Sequence, residues 1–176
     1  MNTLVLWLAQ GFGLGRLPFA PGTFGSLGGL VWFGLLLSTG TPFIYVSGLL
    51  LGIALSVWIG ARAEEILGKI DPGSVVMDEI VAVPICISGW VAWVFYQSGE
   101  LPGPMDFVVP PNCLLTLGIF AAFRFFEILK PLPVRQSQSL SGGWGITADD
   151  VLAAIYVNIC VGIFFAAKSL LGFETS

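Results

Sequence analysis

The sequence predicts an all-α membrane protein, a single domain of residues 1–176 built as a polytopic helix bundle with about five transmembrane helices. The first reason is composition. Hydrophobic residues make up 56% of the chain and charged residues 10%, whereas ordinary soluble domains are about 25% charged. The second reason is the length of the segments that contain no Asp, Glu, Lys or Arg, namely residues 24–61, 80–99, 107–123 and 151–167.

Glycine and proline residues set the expected ends of these helices. Gly40 and Pro42 break the first apolar segment. Pro131 ends the fourth helix, because proline lacks an N–H and disfavours the helical conformation in the residue before it. The predicted helices are therefore 24–38, 42–61, 78–97, 111–129 and 148–171, separated by a turn at 38–42 and by polar loops at 62–77, 98–106 and 131–146.

The distribution of cations predicts the orientation in the membrane. Five spans place the termini on opposite sides. Six of the seven cations fall on the side of the N-terminus, and only Lys168 falls on the other. Short loops rich in Lys and Arg face the cytoplasm, so the N-terminus is expected there. The first residues lack a basic region and a cleavage site, and no removable signal peptide is expected. The six cations are Arg16, Arg62, Lys69, Arg124, Lys130 and Arg135.

Several function classes are excluded by composition. The chain contains no histidine, which excludes histidine metal sites and serine triads. Cys86, Cys113 and Cys160 are odd in number and lie in apolar segments, so they predict buried hydrophobic residues rather than disulfides or a zinc site. The net charge is −4 without a basic tail, and no nucleic-acid partner is expected.

Two adjacent pairs of carboxylates stand at the starts of predicted helices on the cytoplasmic side. They are Asp78 with Glu79, and Asp149 with Asp150. Acidic residues in a first turn stabilise the helix dipole, and Thr147 with Asp150 fits a capping box. One carboxylate per helix would suffice for that purpose. Four converging carboxylates indicate a bound cation, and oxygen ligands without histidine or thiolate favour Mg²⁺ or Ca²⁺.

Cations of the fourth helix and the following loop indicate a phosphate site. Arg124 and Glu127 are three positions apart and can pair on one helix face. Lys130 and Arg135 follow, and Arg and Lys beside a magnesium ion are natural partners of phosphate. The alternative is that these side chains reach the membrane interface and only set orientation.

The segment GFGLGRLPFAPGTFGS, residues 11–26, carries a third signal. Its glycines are only weakly indicative of a dinucleotide site, because no strand precedes them. Its second half resembles a helix start, where free N–H groups and the hydroxyls of Thr23 and Ser26 can hold an anion. An ordinary glycine-proline turn is the alternative.

Four segments together resemble the bacterial phosphatidylglycerophosphatase A family: GFGLGRLPFAPGTFGSL, DPGSVVMDEI, FRFFEILKPLPVRQ and GGWGITADDVLA. The resemblance covers about residues 11–155. It implies a small integral inner-membrane enzyme that removes the terminal phosphate of phosphatidylglycerol phosphate to give phosphatidylglycerol, and that needs Mg²⁺. Glu127 stands where Asp is expected, and Pro72 and Ser141 stand where histidines are common, so no histidine can act as general acid here. The motif residues carried over are Gly11, Gly13, Pro21, Gly22, Thr23, Asp71, Asp78, Glu79, Arg124, Lys130, Pro131, Gly142, Gly143, Gly145, Asp149 and Asp150.

The predicted site combines these signals into a Mg²⁺-dependent lipid phosphatase at the cytoplasmic interface. Attack by water and a covalent aspartyl-phosphate route both remain open. A cation transporter or channel is the main alternative, although the second, third and fifth predicted helices have no ionisable residue at mid-depth. A structural subunit is another alternative. The predicted catalytic residues are Asp78, Glu79, Asp149, Asp150, Lys130 and Arg124; the substrate-binding residues are Thr23, Arg124, Lys130, Arg135, Gly142 and Gly143; the metal ligands are Asp78, Glu79, Asp149, Asp150 and Asp71.

Overall fold

The computed structural model describes residues 2–171 and shows helices but no strand within that range. Met1 and residues 172–176 lie outside it, and with them the C-terminal tail that the cation count assigned to the side opposite the N-terminus. The prediction of an all-α bundle is confirmed. The helices are α1 Asn2–Ala9, α2 Pro21–Leu37, α3 Pro42–Leu67, α4 Met77–Ser98, α5 Asn112–Leu129, α6 Val134–Ser137 and α7 Gly143–Leu170, with 3₁₀ turns at Gly11–Arg16 and Pro104–Phe107.

Four of these helices, α3, α4, α5 and α7, are long and apolar enough to cross a membrane. The fifth apolar helix, α2, has 17 residues and is the shortest of the five. All five predicted helices are therefore present. The short helices α1 and α6 were not predicted, because each spans too few residues for a periodic pattern to develop.

Helix α4 lies at the centre of the bundle and packs against α2, α3, α5 and α7. More than half of its most apolar stretch is buried inside the protein. The main core surrounds it, and aromatic rings contribute much of the packing. The Phe107 ring makes edge contacts with Trp90 and Phe33, at centroid distances of 4.5 and 4.9 Å, a geometry that aromatic pairs prefer.

The N-terminal ends of α2, α4 and α7 meet the C-terminal ends of α3 and α5, and this part of the molecule is called the carboxylate end below. Three contacts define it. Gly22 of α2 lies against Glu79 of α4, Ser56 of α3 hydrogen-bonds Thr147 of α7, and Lys130, just after α5, pairs with Asp149 of α7. Residues far apart in sequence thus converge at one end.

The second predicted helix was too short. It continues from residue 61 to Leu67 and ends at Gly68, whose φ of +62° suits glycine. The predicted helix ended at residue 61 because the first charged residue after the apolar segment is Arg62. In the structure Arg62 pairs with Glu65 one turn later and Ala63 is buried, so the helix simply extends beyond its apolar segment.

The fifth predicted helix began too late, and the predicted capping box is wrong. The helix starts at Gly143 rather than at residue 148, so Thr147 lies within it and not at its N-cap. The buried Thr147 hydroxyl instead shares a 2.9 Å hydrogen bond with Ser56. The Gly143 Cα lies against the Val57 carbonyl, where a side chain would overlap. The glycines therefore let α7 pack closely on α3.

Candidate active site

Three carboxylates from two helices form a buried group at the carboxylate end. Asp78 and Glu79 lie in the first turn of α4, and Asp150 lies in the second turn of α7. One oxygen of each residue lies within 4.8 Å of the corresponding oxygens of the other two. All three residues are at most 8% exposed. The sequence predicted this convergence of two acidic pairs, and the structure brings these three members together.

Each of the three carboxylates has an oxygen without a hydrogen-bond partner in the part of the chain that the structure describes. Asp78 Oδ1, Glu79 Oε2 and Asp150 Oδ2 are buried and accept no hydrogen bond from any residue in the range 2–171. Like charges buried this close repel one another, and each unpaired charge carries a desolvation penalty. A hard divalent cation would relieve both, and carboxylate oxygens are the ligands that Mg²⁺ and Ca²⁺ prefer. The donor set therefore fits the predicted cation.

Asp149 is not part of this group of three and has a different partner. Its Oδ2 accepts a 2.7 Å hydrogen bond from Lys130 Nζ, and its Oδ1 accepts one of 3.1 Å from the Asp150 N–H. Lys130 follows the last residue of α5 with a φ of +46°. This left-handed conformation ends the helix at the point where Pro131 follows. Asp149 thus fixes the ammonium group beside the three carboxylates.

The charge state of Lys130 follows from these neighbours. Partial burial acts to lower the pKa of Lys130, but the hydrogen bond from Lys130 to Asp149 and the nearby charges of Asp149, Asp150 and Asp71 outweigh it. The net effect raises the pKa of Lys130 above its usual value. The side chain is therefore a permanent cation at neutral pH.

Arg124 is a second cation at the same place. Its Nη2 lies 3.3 Å from Glu127 Oε2, and its Nη1 donates a 3.3 Å hydrogen bond to Ser26 Oγ. Ser26 in turn donates to the Gly22 carbonyl at 2.9 Å. A Cβ added to Gly22 would lie 3.2 and 3.3 Å from the two guanidinium nitrogens and would overlap Glu79 Oε1. Glycine at position 22 therefore lets α2 approach both charged groups.

Two residues of this site were absent from the predicted set. Glu127 was recognised as a partner of Arg124 but was given no role. In the structure it is mostly buried, and its Oε2 makes the ion pair without hydrogen-bond geometry. The three-residue spacing of Arg124, Glu127 and Lys130 was the available signal. Ser26 was identified only as a hydroxyl at a helix start, and nothing in the sequence linked it to Arg124.

The remaining predicted residues are not members of the group of three carboxylates. The Thr23 N–H donates to the Ala20 carbonyl at 3.0 Å, so that N–H is not free for an anion. Arg135 and Gly142 are exposed, whereas Gly143 is buried against α3. Asp71 is exposed, outside the group of three, and its N–H donates to Glu64 Oε1 at 2.9 Å. Their substrate and metal roles stay predictions.

Comparison with known proteins places the chain in a family. The family profile described as Phosphatidylglycerophosphatase A matches residues 7–165. A Haemophilus influenzae protein named phosphatidylglycerophosphatase A is 37% identical over 157 residues, which is 88% of this chain and 84% of the relative. The Escherichia coli protein of the same name is 30% identical over 163 residues, 90% of this chain and 80% of the relative.

A third relative has a different name. A Bacteroides thetaiotaomicron protein, provisionally named phosphatidylinositol-3-phosphatase, is 32% identical over 167 residues, covering 91% of this chain and 92% of the relative. No solved structure matches the chain significantly. The buried carboxylates and adjacent cations thus occur in a chain matched over most of its length by phosphatases. The chain belongs to the phosphatidylglycerophosphatase A family, a family of phosphoric monoester hydrolases.

Proposed function

We propose that this protein is a Mg²⁺-dependent lipid phosphatase that hydrolyses the terminal phosphomonoester of phosphatidylglycerol phosphate, giving phosphatidylglycerol and inorganic phosphate. The single observation that carries this proposal is the placement of three buried carboxylates, each with one oxygen that has no partner among residues 2–171, beside two cations, Arg124 and Lys130. The family supports the lipid substrate. The donor set supports the metal.

Asp78, Glu79 and Asp150 would hold the magnesium ion. Their unpaired oxygens offer the hard, anionic ligands that this ion prefers. When bound, Mg²⁺ supplies charge neutralisation on phosphate and lowers the pKa of a water molecule so that it can act as a nucleophile.

The cationic side chains bind the phosphate group. Arg124 has a planar guanidinium that can donate two parallel hydrogen bonds to phosphate oxygens. Lys130 has three N–H donors, of which one is engaged by Asp149, so the others can reach substrate. In the reaction, the oxygen of water bonds to phosphorus and the water gives up one proton. The bond between phosphorus and the glycerol oxygen breaks, and that oxygen takes up one proton to become the alcohol. Charge builds on the phosphoryl oxygens, where fixed cations stabilise it.

The same proposal places the site at the cytoplasmic surface of the bacterial inner membrane, with the N-terminus on that side. The cation count supports this orientation, because Lys168 is the only cation assigned to the opposite side. The acyl chains of the substrate would stay in the bilayer while its headgroup reaches the carboxylate end.

The test is phosphate release by purified protein in lipid micelles. Phosphatidylglycerol phosphate should be hydrolysed with Mg²⁺ and not with EDTA, and Asp150→Asn should abolish release while the protein stays folded. Glu100→Gln is the matched control, because Glu100 is an exposed carboxylate outside the site, and it should leave the rate unchanged.

Two further arms of this test examine the alternatives. Phosphatidylinositol 3-phosphate belongs in the substrate panel because of the Bacteroides relative. Preferential hydrolysis of that lipid would change the proposed substrate but leave the proposed reaction, phosphomonoester hydrolysis, unchanged. Cation flux into liposomes without any phosphate release would instead contradict the proposal and favour a transporter.

A further inference from the structure

The side chain of Asn158, which is partly buried, joins α7 to α4. Its Nδ2 donates hydrogen bonds to the carbonyls of Ile85, at 2.6 Å, and Ala154, at 3.0 Å. Its Oδ1 accepts a 2.7 Å hydrogen bond from the Gly89 N–H. The Ile85 carbonyl and the Gly89 N–H are the two members of one i to i+4 step of α4. A single amide therefore binds both ends of one turn of the neighbouring helix.

Helix α4 is built to receive this amide. Pro84 lies immediately before Ile85 and has no N–H, which weakens the backbone ladder in this part of the helix. The Tyr45 hydroxyl donates to the Pro84 carbonyl at 3.2 Å from the side of α3. At Gly89, an added Cβ would lie 2.5 Å from Asn158 Oδ1. Only glycine leaves room for the amide.

The same two helices carry the buried carboxylates, in the same register. Helices α4 and α7 both start at the carboxylate end and run in the same direction. Asn158 follows Gly89 by 69 residues and Ile85 by 73 residues. Asp150 follows Glu79 by 71 residues, a separation between these two values, so both contacts belong to the same register of α7 against α4. Asn158 is eight residues beyond Asp150, or about 12 Å along α7.

We propose that Asn158 is a positioning residue that fixes the register of α7 against α4 and thereby sets the separation of Asp150 from Asp78 and Glu79. The inference rests on the proposed function, in which these carboxylates hold the divalent cation. Within a bilayer no hydrophobic force holds two apolar helices in one register, so interhelical hydrogen bonds and close packing must do so. Losing a group that hydrogen-bonds to a metal ligand lowers metal affinity because the ligand is no longer held in place, and a shift of α7 along α4 would displace Asp150 in the same way.

Two substitutions disrupt this contact, one in α7 and one in α4. Asn158→Leu keeps the branched shape of the side chain but loses all three hydrogen bonds. Gly89→Ala keeps every polar group and displaces the amide with one methyl group. Two controls remove other hydrogen bonds to α4 and leave the three hydrogen bonds of Asn158 in place. Tyr45→Phe loses the hydrogen bond to Pro84 from α3, and Ser88→Ala loses a 2.7 Å bond to the Ile85 carbonyl within α4.

The experiment measures Mn²⁺ binding to the full-length purified protein by the electron paramagnetic resonance signal of free Mn²⁺, with thermal unfolding measured in parallel. Asn158→Leu and Gly89→Ala should each raise the dissociation constant by about tenfold, and Tyr45→Phe and Ser88→Ala should leave it unchanged. In the phosphatase assay, the Mg²⁺ concentration for half-maximal rate should rise in the first two variants, with kcat largely restored at saturating Mg²⁺.

The outcomes separate the two proposals. A wild-type protein that neither binds Mn²⁺ nor releases phosphate contradicts the proposed function itself. A wild-type protein that binds Mn²⁺, with folded Asn158→Leu and Gly89→Ala variants that bind it equally well, overturns the positioning role alone. If Tyr45→Phe weakens Mn²⁺ binding as much as Asn158→Leu does, the positioning role is also overturned, because any disturbance of α4 would then lower the affinity. If Asn158→Leu does not fold, Gly89→Ala decides.

Discussion

The two ends of the bundle are stabilised in opposite ways. The carboxylate end buries Asp78, Glu79 and Asp150 with oxygens that have no partner among residues 2–171. At the other end, Trp90, Trp93, Phe107 and Phe165 lie together on one side of a cavity of about 500 Å³, whose lining also includes apolar and polar residues. One end concentrates charge that opposes folding, and the other gains stability from ring packing. The buried carboxylates point to a binding site, because buried charges in proteins are normally paired or coordinated to a metal ion.

The largest effect is expected when one of the three carboxylates is neutralised. Asp150→Asn or Asp78→Asn should lower kcat/KM by about a thousandfold or more, equivalent to roughly 4 kcal/mol of transition-state stabilisation. Phosphate release with saturating Mg²⁺ measures this. Turnover within about tenfold of wild type would show that these oxygens do not hold the essential cation.

The same variants should be more stable than the wild type when no metal is present. Each substitution removes one charge from a buried group of like charges, so the free energy of unfolding should rise by about 1 kcal/mol. Thermal unfolding in EDTA, compared with unfolding in Mg²⁺, provides the measurement. A variant less stable than wild type in EDTA would mean that the carboxylates serve the fold.

Loss of Lys130 should have the next largest effect. Lys130→Met removes a phosphate-binding cation and leaves Asp149 buried without its ion pair, so kcat/KM should fall by about a hundredfold, or roughly 2.7 kcal/mol. Stability should also fall, by about 1–3 kcal/mol. Lys69→Met is the control, since Lys69 is an exposed lysine without a predicted role in the site. An equal loss in the control would contradict a specific role for Lys130.

A single methyl group at Gly22 tests the close approach of α2. Gly22→Ala would overlap Glu79 Oε1 and crowd Arg124, so the rate should fall by about tenfold, or roughly 1.4 kcal/mol. Gly118→Ala in α5 is the matched control, because no atom lies within 4 Å of its added Cβ. The control should keep full activity and gain up to about 1 kcal/mol of stability.

The smallest effect on activity is expected at the aromatic end. Trp93 stacks on Phe165 at a centroid distance of 5.5 Å, and Trp93→Leu should cost about 1 kcal/mol of stability. Its kcat should match the wild type below the unfolding temperature. A fall in kcat similar to that of Lys130→Met would show that the two ends are coupled.

Helix positions followed closely from the sequence, because apolar length and proline placement determine them directly. The ends of α3 and α7 did not. The prediction ended α3 too early because residues 62–67 include charged side chains. It began α7 too late because the glycines before Thr147 suggested a flexible turn, whereas Gly143 packs against Val57 within the helix. Such close approaches depend on a partner helix that is distant in sequence.

The sequence predicted which residue types form the candidate site, but not which of these residues contact one another. Adjacent acidic residues on two helices indicated convergence, yet nothing in the sequence separated Asp149 from Asp150. In the structure Asp150 joins the group of three and Asp149 binds Lys130. Neighbouring residues on a helix point about 100° apart, so one of them can face the bundle centre while the other faces α5.

The central claim is that Asp78, Glu79 and Asp150 hold the catalytic divalent cation. The most direct measurement is anomalous diffraction at the manganese absorption edge, from crystals of the full-length protein grown with Mn²⁺. The predicted result is a peak between the three side chains, at about 2–2.6 Å from their oxygens. A peak elsewhere in the protein, or no peak in crystals of an enzyme whose activity requires Mn²⁺, would contradict the claim.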